Sequence, residues 1–158
     1  MVTMQDEIFG VLTLDYTWRK DYVLDMFGVR VSTLIRVEAD AKDSITDNQR
    51  RAFLAYLEDE KRIVLDVETA VLNYYQSNVQ SFRANFGDDV RDVNSPVSVN
   101  LSSFSRLLSL RHICFLYSGD ADRKVGFVFD ARFDPEMGVG VLIVNEVVEQ
   151  VSVQDIVL

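Results

Sequence analysis

The chain of 158 residues contains one cysteine, one histidine and two prolines. Cys114 has no second cysteine with which to form an intramolecular disulfide. One histidine and one cysteine leave too few soft ligands for a structural zinc site. The longest apolar runs are far shorter than the roughly 20 residues of a transmembrane helix, and no basic-then-apolar leader begins the chain. These absences predict a cytoplasmic protein without disulfides, cofactor or metal.

Histidine-dependent catalysis would have to use His112, because it is the only histidine. His112 and Cys114 lie two residues apart, so a strand would place both side chains on one face. The alternative is a histidine near a strand edge beside a buried thiol, and cysteine is among the most buried residue types. We favour this structural interpretation, so the sequence predicts no catalytic residue.

Basic residues are scarcer than acidic ones, 16 against 25, which gives a net charge of −9. The excess is even, because 1–45, 46–92 and 93–158 each contain three more acidic than basic residues. Nucleic acids and anionic membranes bind clustered lysines and arginines, so we expect neither as a partner. The charge favours a basic protein as partner, and it is also ordinary for a soluble protein.

Alternation of apolar and polar residues near the N-terminus is typical of half-buried strands. It predicts strands at 8–16, 22–26 and 29–38, joined as a three-stranded antiparallel set. The first hairpin loop would then be 18–21, with Trp18 in the loop or just inside it. An exposed Trp18 would be a candidate interaction residue, whereas a tryptophan folded back over the hairpin would belong to the core.

A long helical pattern begins at Thr46, where Thr46 and Gln49 match the capping box. Apolar residues then recur at helical spacing, and no Gly or Pro interrupts them before Gly87. One helix of about 40 residues would be unusual, since the mean is about 11–12. The charged stretch around residue 59 is the natural place for a break, so we predict two helices, 46–58 and 60–84.

The stretch 87–100 is rich in turn residues and predicts a loop. A short helix over 101–110 and a strand over 111–117 follow it. Three aspartates in the loop are candidate cation ligands, but the stretch lacks the alternating oxygen ligands and terminal glutamate of a calcium loop. They are Asp88, Asp89 and Asp92.

The last third of the chain, 124–158, has the pattern of a β-meander. Pro135 and Gly138 suit a bulged hairpin loop, with Gly138 in the left-handed conformation. The strand predicted at 139–144 is apolar on both faces and should be central. We predict a single α+β domain over 1–158. Its N-terminal three-stranded set and C-terminal meander form one antiparallel sheet, with two long central helices and one short helix packed on one face.

Four carboxylates of the meander are the best chemical candidates: Asp130, Asp134, Glu136 and Asp155. Two acids in different environments can divide into a general acid and a general base, or can hold a divalent ion. In the structural interpretation, which we favour, Asp134 caps the turn, Glu136 is solvated and Asp155 fixes the tail.

One pattern covers the C-terminal region and is carried by Gly126, Phe129, Asp130, Phe133, Asp134, Pro135, Glu136, Gly138, Gly140, Val141, Asn145, Gln154, Asp155 and Leu158. It resembles a family of uncharacterised bacterial domains with the C-terminal form Gly-(apolar)-x-Phe-Asp-x-x-(aromatic)-Asp-Pro-Glu-His-Gly-(apolar)-Gly-Val. The N-terminal half is similar at Phe9-Gly10, the capped Thr-x-x-Gln helix and Asn73-Tyr74-Tyr75. Met137 stands where the family more often has His, so no role of that His transfers to this chain.

The resemblance implies an immunity function, because members of such families occur in bacterial polymorphic-toxin loci, where small acidic domains serve as immunity proteins. The leading hypothesis is therefore a non-enzymatic acidic protein-interaction domain, with an immunity protein that binds a bacterial toxin as its specific form. The alternative is a metal-dependent hydrolase or small-ligand binder that uses the four meander carboxylates. A third hypothesis is a structural domain that self-associates through an exposed strand edge.

Overall fold

The computed structural model describes residues 1–39 and 44–158. Eight strands form one sheet, in which each strand pairs with the next one along the chain. They are β1 (Thr3–Asp6), β2 (Gly10–Asp15), β3 (Thr17–Met26), β4 (Val29–Val37), β5 (Leu108–Phe115), β6 (Lys124–Ala131), β7 (Val139–Val144) and β8 (Val147–Ser152). The predicted α+β class is confirmed, and β7 is an internal strand as predicted.

Four α-helices belong to the described residues: α1 (Asp47–Glu58), α2 (Glu60–Arg83), α3 (Arg91–Asn94) and α4 (Leu101–Phe104). Two 3₁₀ turns follow, at Ser105–Leu107 and Gln154–Val157. The prediction of two long helices with a break near residue 59 is confirmed, because Asp59 is the C-cap of α1 and the N-cap of α2. Among these described helices, none is both long and apolar enough to span a membrane.

Pairing in the sheet is antiparallel except between β4 and β5, which are parallel over Leu34–Val37 and His112–Phe115. Both long helices lie between β4 and β5 in the chain, and a connection of that length can return the chain to the starting end of the sheet. The predicted antiparallel sheet is therefore mostly antiparallel with one parallel pair.

The capping box at the start of α1 is present as predicted. Thr46 Oγ1 accepts from Gln49 N at 3.0 Å, and Gln49 Oε1 accepts from Thr46 N at 2.9 Å. The Gln49 side chain also makes hydrogen bonds outside the helix: its Nε2 donates to the carbonyl oxygens of Glu38 at 3.0 Å and Phe115 at 3.1 Å. One buried side chain thus caps α1 and joins it to the ends of β4 and β5.

The core lies between the sheet and the long helices and is rich in aromatic rings. Phe9 stacks on Phe53 of α1 with ring centroids 4.6 Å apart, and Phe53 meets Phe115 of β5 edge-on at 5.2 Å. Further along, Tyr75 of α2 contacts Phe133 at 4.7 Å. These contacts bury the apolar faces of both long helices against one face of the sheet.

The opposite face of the sheet is covered in part by the C-terminal 3₁₀ turn. Phe127 of β6 points to the helices, where its ring lies 6.1 Å from that of Tyr56, so the neighbouring Gly126 faces the other way. Val157 packs against Gly126 and Gly140 on that face. The prediction that helices pack on one face holds for the long helices, whereas the tail packs on the other.

The N-terminal strands differ from the prediction. Before α1, the residues that the structure describes form four strands rather than three, and the added strand, β1, contains too few apolar residues to show the alternation. The first predicted loop, 18–21, lies inside β3, and the turn is instead at Tyr16, which has a φ of +62°. The sequence gives no turn signal at Tyr16, because such φ values are normally taken by Gly or Asn.

The predicted short helix over 101–110 is also shorter in the structure. It consists of α4 and one 3₁₀ turn and ends at Leu107, so β5 begins at Leu108 rather than at 111. Pairing of Leu108 with Ala131 in β6 takes precedence over the local helical pattern. The predicted loop 87–100 contains the single helical turn α3.

Candidate functional site

The four meander carboxylates lie at different places around the end of β6. Asp130 is exposed, and its Oδ1 accepts from Gln154 Nε2 at 3.2 Å while its Oδ2 lies 3.7 Å from Arg111 Nε. The same Gln154 amide donates to Phe129 O at 2.7 Å. Asp130 thus takes part in attaching the C-terminal tail to β6.

Asp134 and Glu136 belong to the loop between β6 and β7, and Asp155 lies in the C-terminal 3₁₀ turn. Burial raises the pKa of Asp134, and the nearby Glu136 charge adds to this, although the Met137 backbone N–H opposes it. Gly138 has a φ of +60°, which confirms the predicted left-handed position. A hydrolytic or ligand-binding role for the four acids stays a prediction.

Among the His, Cys, Asp and Glu side chains of residues 1–39 and 44–158, no group of three is placed to hold one metal ion. Two of the three loop aspartates that were candidate cation ligands form ion pairs instead, Asp88 with Arg91 at 2.9 Å and Asp92 with Arg83 at 2.8 Å.

His112 and Cys114 lie on the face of β5 that points away from the long helices, as their spacing predicts. Burial lowers the pKa of His112 to about 4, with the Arg36 and Arg111 charges contributing. Burial raises the pKa of Cys114 to about 12. At neutral pH the imidazole is uncharged and the thiol is protonated, so the two do not form the thiolate and imidazolium of a Cys-His nucleophile.

Trp18 is inside β3, where it pairs with Leu14 of β2 and Val37 of β4. Its side chain is only 6% exposed and belongs to the core between sheet and helices. Of the two predicted positions, in the hairpin loop or just inside it, the second is confirmed, and Trp18 belongs to the core, as in the alternative of a tryptophan folded back over the hairpin. The surface that a partner would contact at Trp18 is therefore small.

A buried carboxylate that the sequence analysis missed lies on the inner face of α2. Glu68 is 9% exposed, and its Oε1 accepts from the backbone N–H of Phe27 at 2.5 Å. Phe27 and Gly28 form the turn between β3 and β4 with φ values of +52° and +77°. Burial raises the pKa of Glu68, and the Phe27 hydrogen bond only partly opposes it. The sequence contained one sign of this burial, because Glu68 lies on the apolar stripe of α2 with Val64 and Val71.

Two cavities adjoin this carboxylate, of about 350 Å³ and about 550 Å³. Four residues line both: Phe27, Gly28, Leu65 and Glu68. The smaller cavity extends along β3 and α2, and the larger one reaches Leu101, Ser102, Ser105 and Arg106 next to α4. We call the two together the Glu68 cleft.

A second surface lies where the start of β3 is next to the ends of β4 and β5. Tyr16 precedes β3, Glu38 follows β4, and Tyr117 lies two residues beyond β5. Tyr16 is 93% exposed and Tyr117 is 58% exposed, and the Tyr117 N–H donates to Glu38 Oε2 at 3.3 Å. We call this region the sheet-end surface and define it by Tyr16, Glu38, Tyr117, Asp120 and Asp122.

Asp120 and Asp122 add negative charge to the sheet-end surface. The Ser118 hydroxyl donates to Asp120 at 2.6 Å, and this hydrogen bond, with that from the Asp122 backbone N–H, lowers the pKa of Asp120. Asn145 Nδ2 donates to Asp122 Oδ1 at 3.0 Å. These hydrogen bonds fix both aspartates within the loop that follows Tyr117.

Comparison with protein families identifies one match. A family model described as "Domain of unknown function (DUF6985)" matches residues 8–158, which include every strand and helix from β2 onward. Comparison with curated proteins and with solved structures gives no match. The predicted membership of a family without an assigned function is confirmed: the chain belongs to the family described as Domain of unknown function (DUF6985).

Proposed function

We propose that this protein is a non-enzymatic, acidic protein-interaction domain whose partner is a basic protein. The sheet-end surface is the contact region. Interfaces are enriched in tyrosine, and acidic side chains around exposed rings would attract a basic partner and favour its orientation.

The observation that carries this proposal is the conformation of Tyr16. Its φ of +62° lies in the left-handed region, which costs a residue with a side chain about 1 kcal/mol. Its side chain is 93% exposed and contributes little to the packing of the fold. A costly conformation that presents a large ring to solvent supports a role in binding rather than in folding.

Charge pairing supports the same interpretation. Eight arginines of the described residues form ion pairs with carboxylates of this chain, namely Arg19, Arg30, Arg50, Arg62, Arg83, Arg91, Arg111 and Arg123. Because these positive charges are locally neutralised, the excess of acidic residues sets the sign of the field that a partner meets.

The specific form of the proposal is an immunity protein that binds a bacterial toxin. It rests on the acidic charge and on the resemblance of the C-terminal pattern to domains of polymorphic-toxin loci. A toxin that acts on nucleic acid would carry the basic surface that an acidic inhibitor can cover.

The test is calorimetric titration with the product of the neighbouring gene, at low and at high salt concentration. We expect binding that weakens with salt and that falls at least about tenfold for Tyr16→Asn and for Tyr117→Ser, as for interface hot spots. Asp89→Asn, an exposed change outside the sheet-end surface, is the matched control and should bind like the wild type. Absence of binding at low salt, or full affinity of both tyrosine variants, would overturn the proposal.

A further inference from the structure

The Glu68 cleft combines an apolar wall with one buried carboxylate. Leu24, Met26, Val64 and Leu65 are among the residues that line the smaller cavity, and Phe27, Val29, Leu65 and Leu101 line the larger one. Volumes of about 350 Å³ and 550 Å³ fall in the range of small-molecule pockets, which is about 300–1,000 Å³. The cleft therefore has room for a small molecule or for a single side chain.

Glu68 has one hydrogen-bond partner in the described part of the chain, and neither of its oxygens is a fully buried atom left without a partner. A carboxylate has about four acceptor positions, yet within residues 1–39 and 44–158 Glu68 accepts only the Phe27 N–H and forms no ion pair. Burying an ion without a counter-charge is costly, and a neutral glutamine would accept the same N–H without that cost. A negative charge at this position is thus unexplained by the turn that it holds.

We propose that the Glu68 cleft binds an organic cation, meaning a protonated amine or a guanidinium carried on a short apolar stem. The cationic group would pair with the free oxygen of Glu68, and the stem would lie against Leu65 and Phe27. This arrangement supplies the missing counter-charge and covers the apolar wall in one step.

Three basic side chains also line the cleft. Arg30 lines the smaller cavity and pairs with Asp25 at 3.3 Å, with both side chains largely exposed. Lys61 and Arg106 are exposed residues on the cleft walls. Asp25 and Glu60 line the smaller cavity as well, so Glu68 is the buried carboxylate of a cleft whose other charges are of both signs.

The cationic group has two sources, a free small molecule or an arginine or lysine side chain of a protein. The inference does not depend on the proposed function, because the cleft is formed by the β3–β4 turn, α2 and α4 rather than by the sheet-end surface. Loss of binding in a Glu68 variant and loss of binding in a Tyr16 variant therefore report on different proposals.

The experiment is calorimetric titration of the full chain with n-butylguanidinium and n-butylammonium, with 1-butanol as the neutral match and butyrate as the anionic match. We expect the two cations to bind and the alcohol and the anion not to bind. Glu68→Gln keeps the acceptor for Phe27 N–H, so it folds, and it should lower cation affinity at least about tenfold. Asp66→Asn removes an exposed carboxylate of the same helix outside the cleft and should bind like the wild type.

A second variant tests the site without changing Glu68. Leu65 is 53% exposed, so Leu65→Arg is tolerated by the fold and places a guanidinium of the chain itself at the cleft. It should weaken cation binding as strongly as Glu68→Gln does. A peptide, acetyl-Ala-Arg-Ala-amide, separates the sources: tighter binding than n-butylguanidinium supports a protein side chain, and weaker binding supports a free small molecule.

Three outcomes would overturn the inference. The first is that neither cation binds the wild type, and the second is that Glu68→Gln and Leu65→Arg both keep full affinity. The third is preferential binding of butyrate, which would assign the cleft to Arg106 and Lys61 and to an anionic ligand instead.

Discussion

Val157 packs directly on the backbone of Gly126: a methyl group at Gly126 would lie 2.7 Å from Cβ of Val157. This contact fixes the C-terminal turn to the face of β6 opposite the helices. Replacing Gly126 with a larger residue therefore pushes the tail away from the sheet, unless the Val157 side chain is also removed.

We expect Gly126→Ala to lower the free energy of unfolding by about 1–3 kcal/mol, the usual cost of overpacking. Val157→Gly removes the Cβ that a methyl group at position 126 would meet, so the double variant should lose less than the sum of the two single variants. Urea unfolding of all four proteins gives this coupling energy. Strict additivity would show that the tail moves away without cost and that the contact is weak.

Gln49 should contribute more to the stability of the protein than Thr46, the N-cap residue of α1. Gln49→Leu removes the acceptor for Thr46 N–H and the donors for Glu38 O and Phe115 O. We expect it to cost about 2–4 kcal/mol, because buried polar groups lose their partners. Thr46→Ala removes the cap alone and should cost about 1 kcal/mol. Equal losses in denaturant titrations would mean that the contacts from Gln49 to the sheet add nothing.

Glu68 should make the stability of the protein depend on pH. Burial raises its folded pKa above the ordinary 4.5, so Glu68 keeps its proton to a higher pH in the folded protein than in the unfolded chain. Its contribution is present below 4.5 and is lost as pH rises through the folded pKa. Glu68→Gln lacks this loss, so its stability relative to the wild type should increase as the pH rises through the folded pKa of Glu68.

The measurement is the difference in unfolding free energy between wild type and Glu68→Gln at a series of pH values, which removes the titration of all other groups. Asp66→Asn is the control for removing an exposed carboxylate from the same helix. A difference that does not change with pH would show that Glu68 is solvated in the folded protein.

Tyr16 should be dispensable for folding. Asparagine tolerates the left-handed conformation better than tyrosine does, and the ring has almost no burial to lose. Tyr16→Asn is expected to be as stable as the wild type or more stable, by up to about 1 kcal/mol. Thermal unfolding checks this, with Trp18→Phe as a contrast that should destabilise because Trp18 is buried. A clear loss for Tyr16→Asn would assign the ring a packing role.

Local patterns predicted the elements whose causes are local. The capping box at Thr46, the helix break at Asp59 and the left-handed Gly138 were all predictable from a few neighbouring residues. The central position of β7 was predictable because it is apolar on both faces. Boundaries failed where pairing with a distant strand decides them, as at Leu108.

The candidate sites were less predictable because their partners lie far apart in the chain. Glu68 meets Phe27 from 41 positions away, and the Gln49 amide reaches Phe115 from 66 positions away. A sequence pattern records that Glu68 interrupts an apolar stripe but not which N–H it accepts. Tyr16 gave no turn signal, because a bulky residue with positive φ contradicts the usual turn composition.

The single parallel pair between β4 and β5 has a consequence for how the chain folds. The strands β1–β4 and β5–β8 can each form from neighbouring hairpins, whereas the junction requires closing the long segment that contains both large helices. Contacts between such distant residues form slowly. Until they form, β4 and β5 are unpaired edges of two partial sheets, so aggregation during refolding is expected to begin at these two strands.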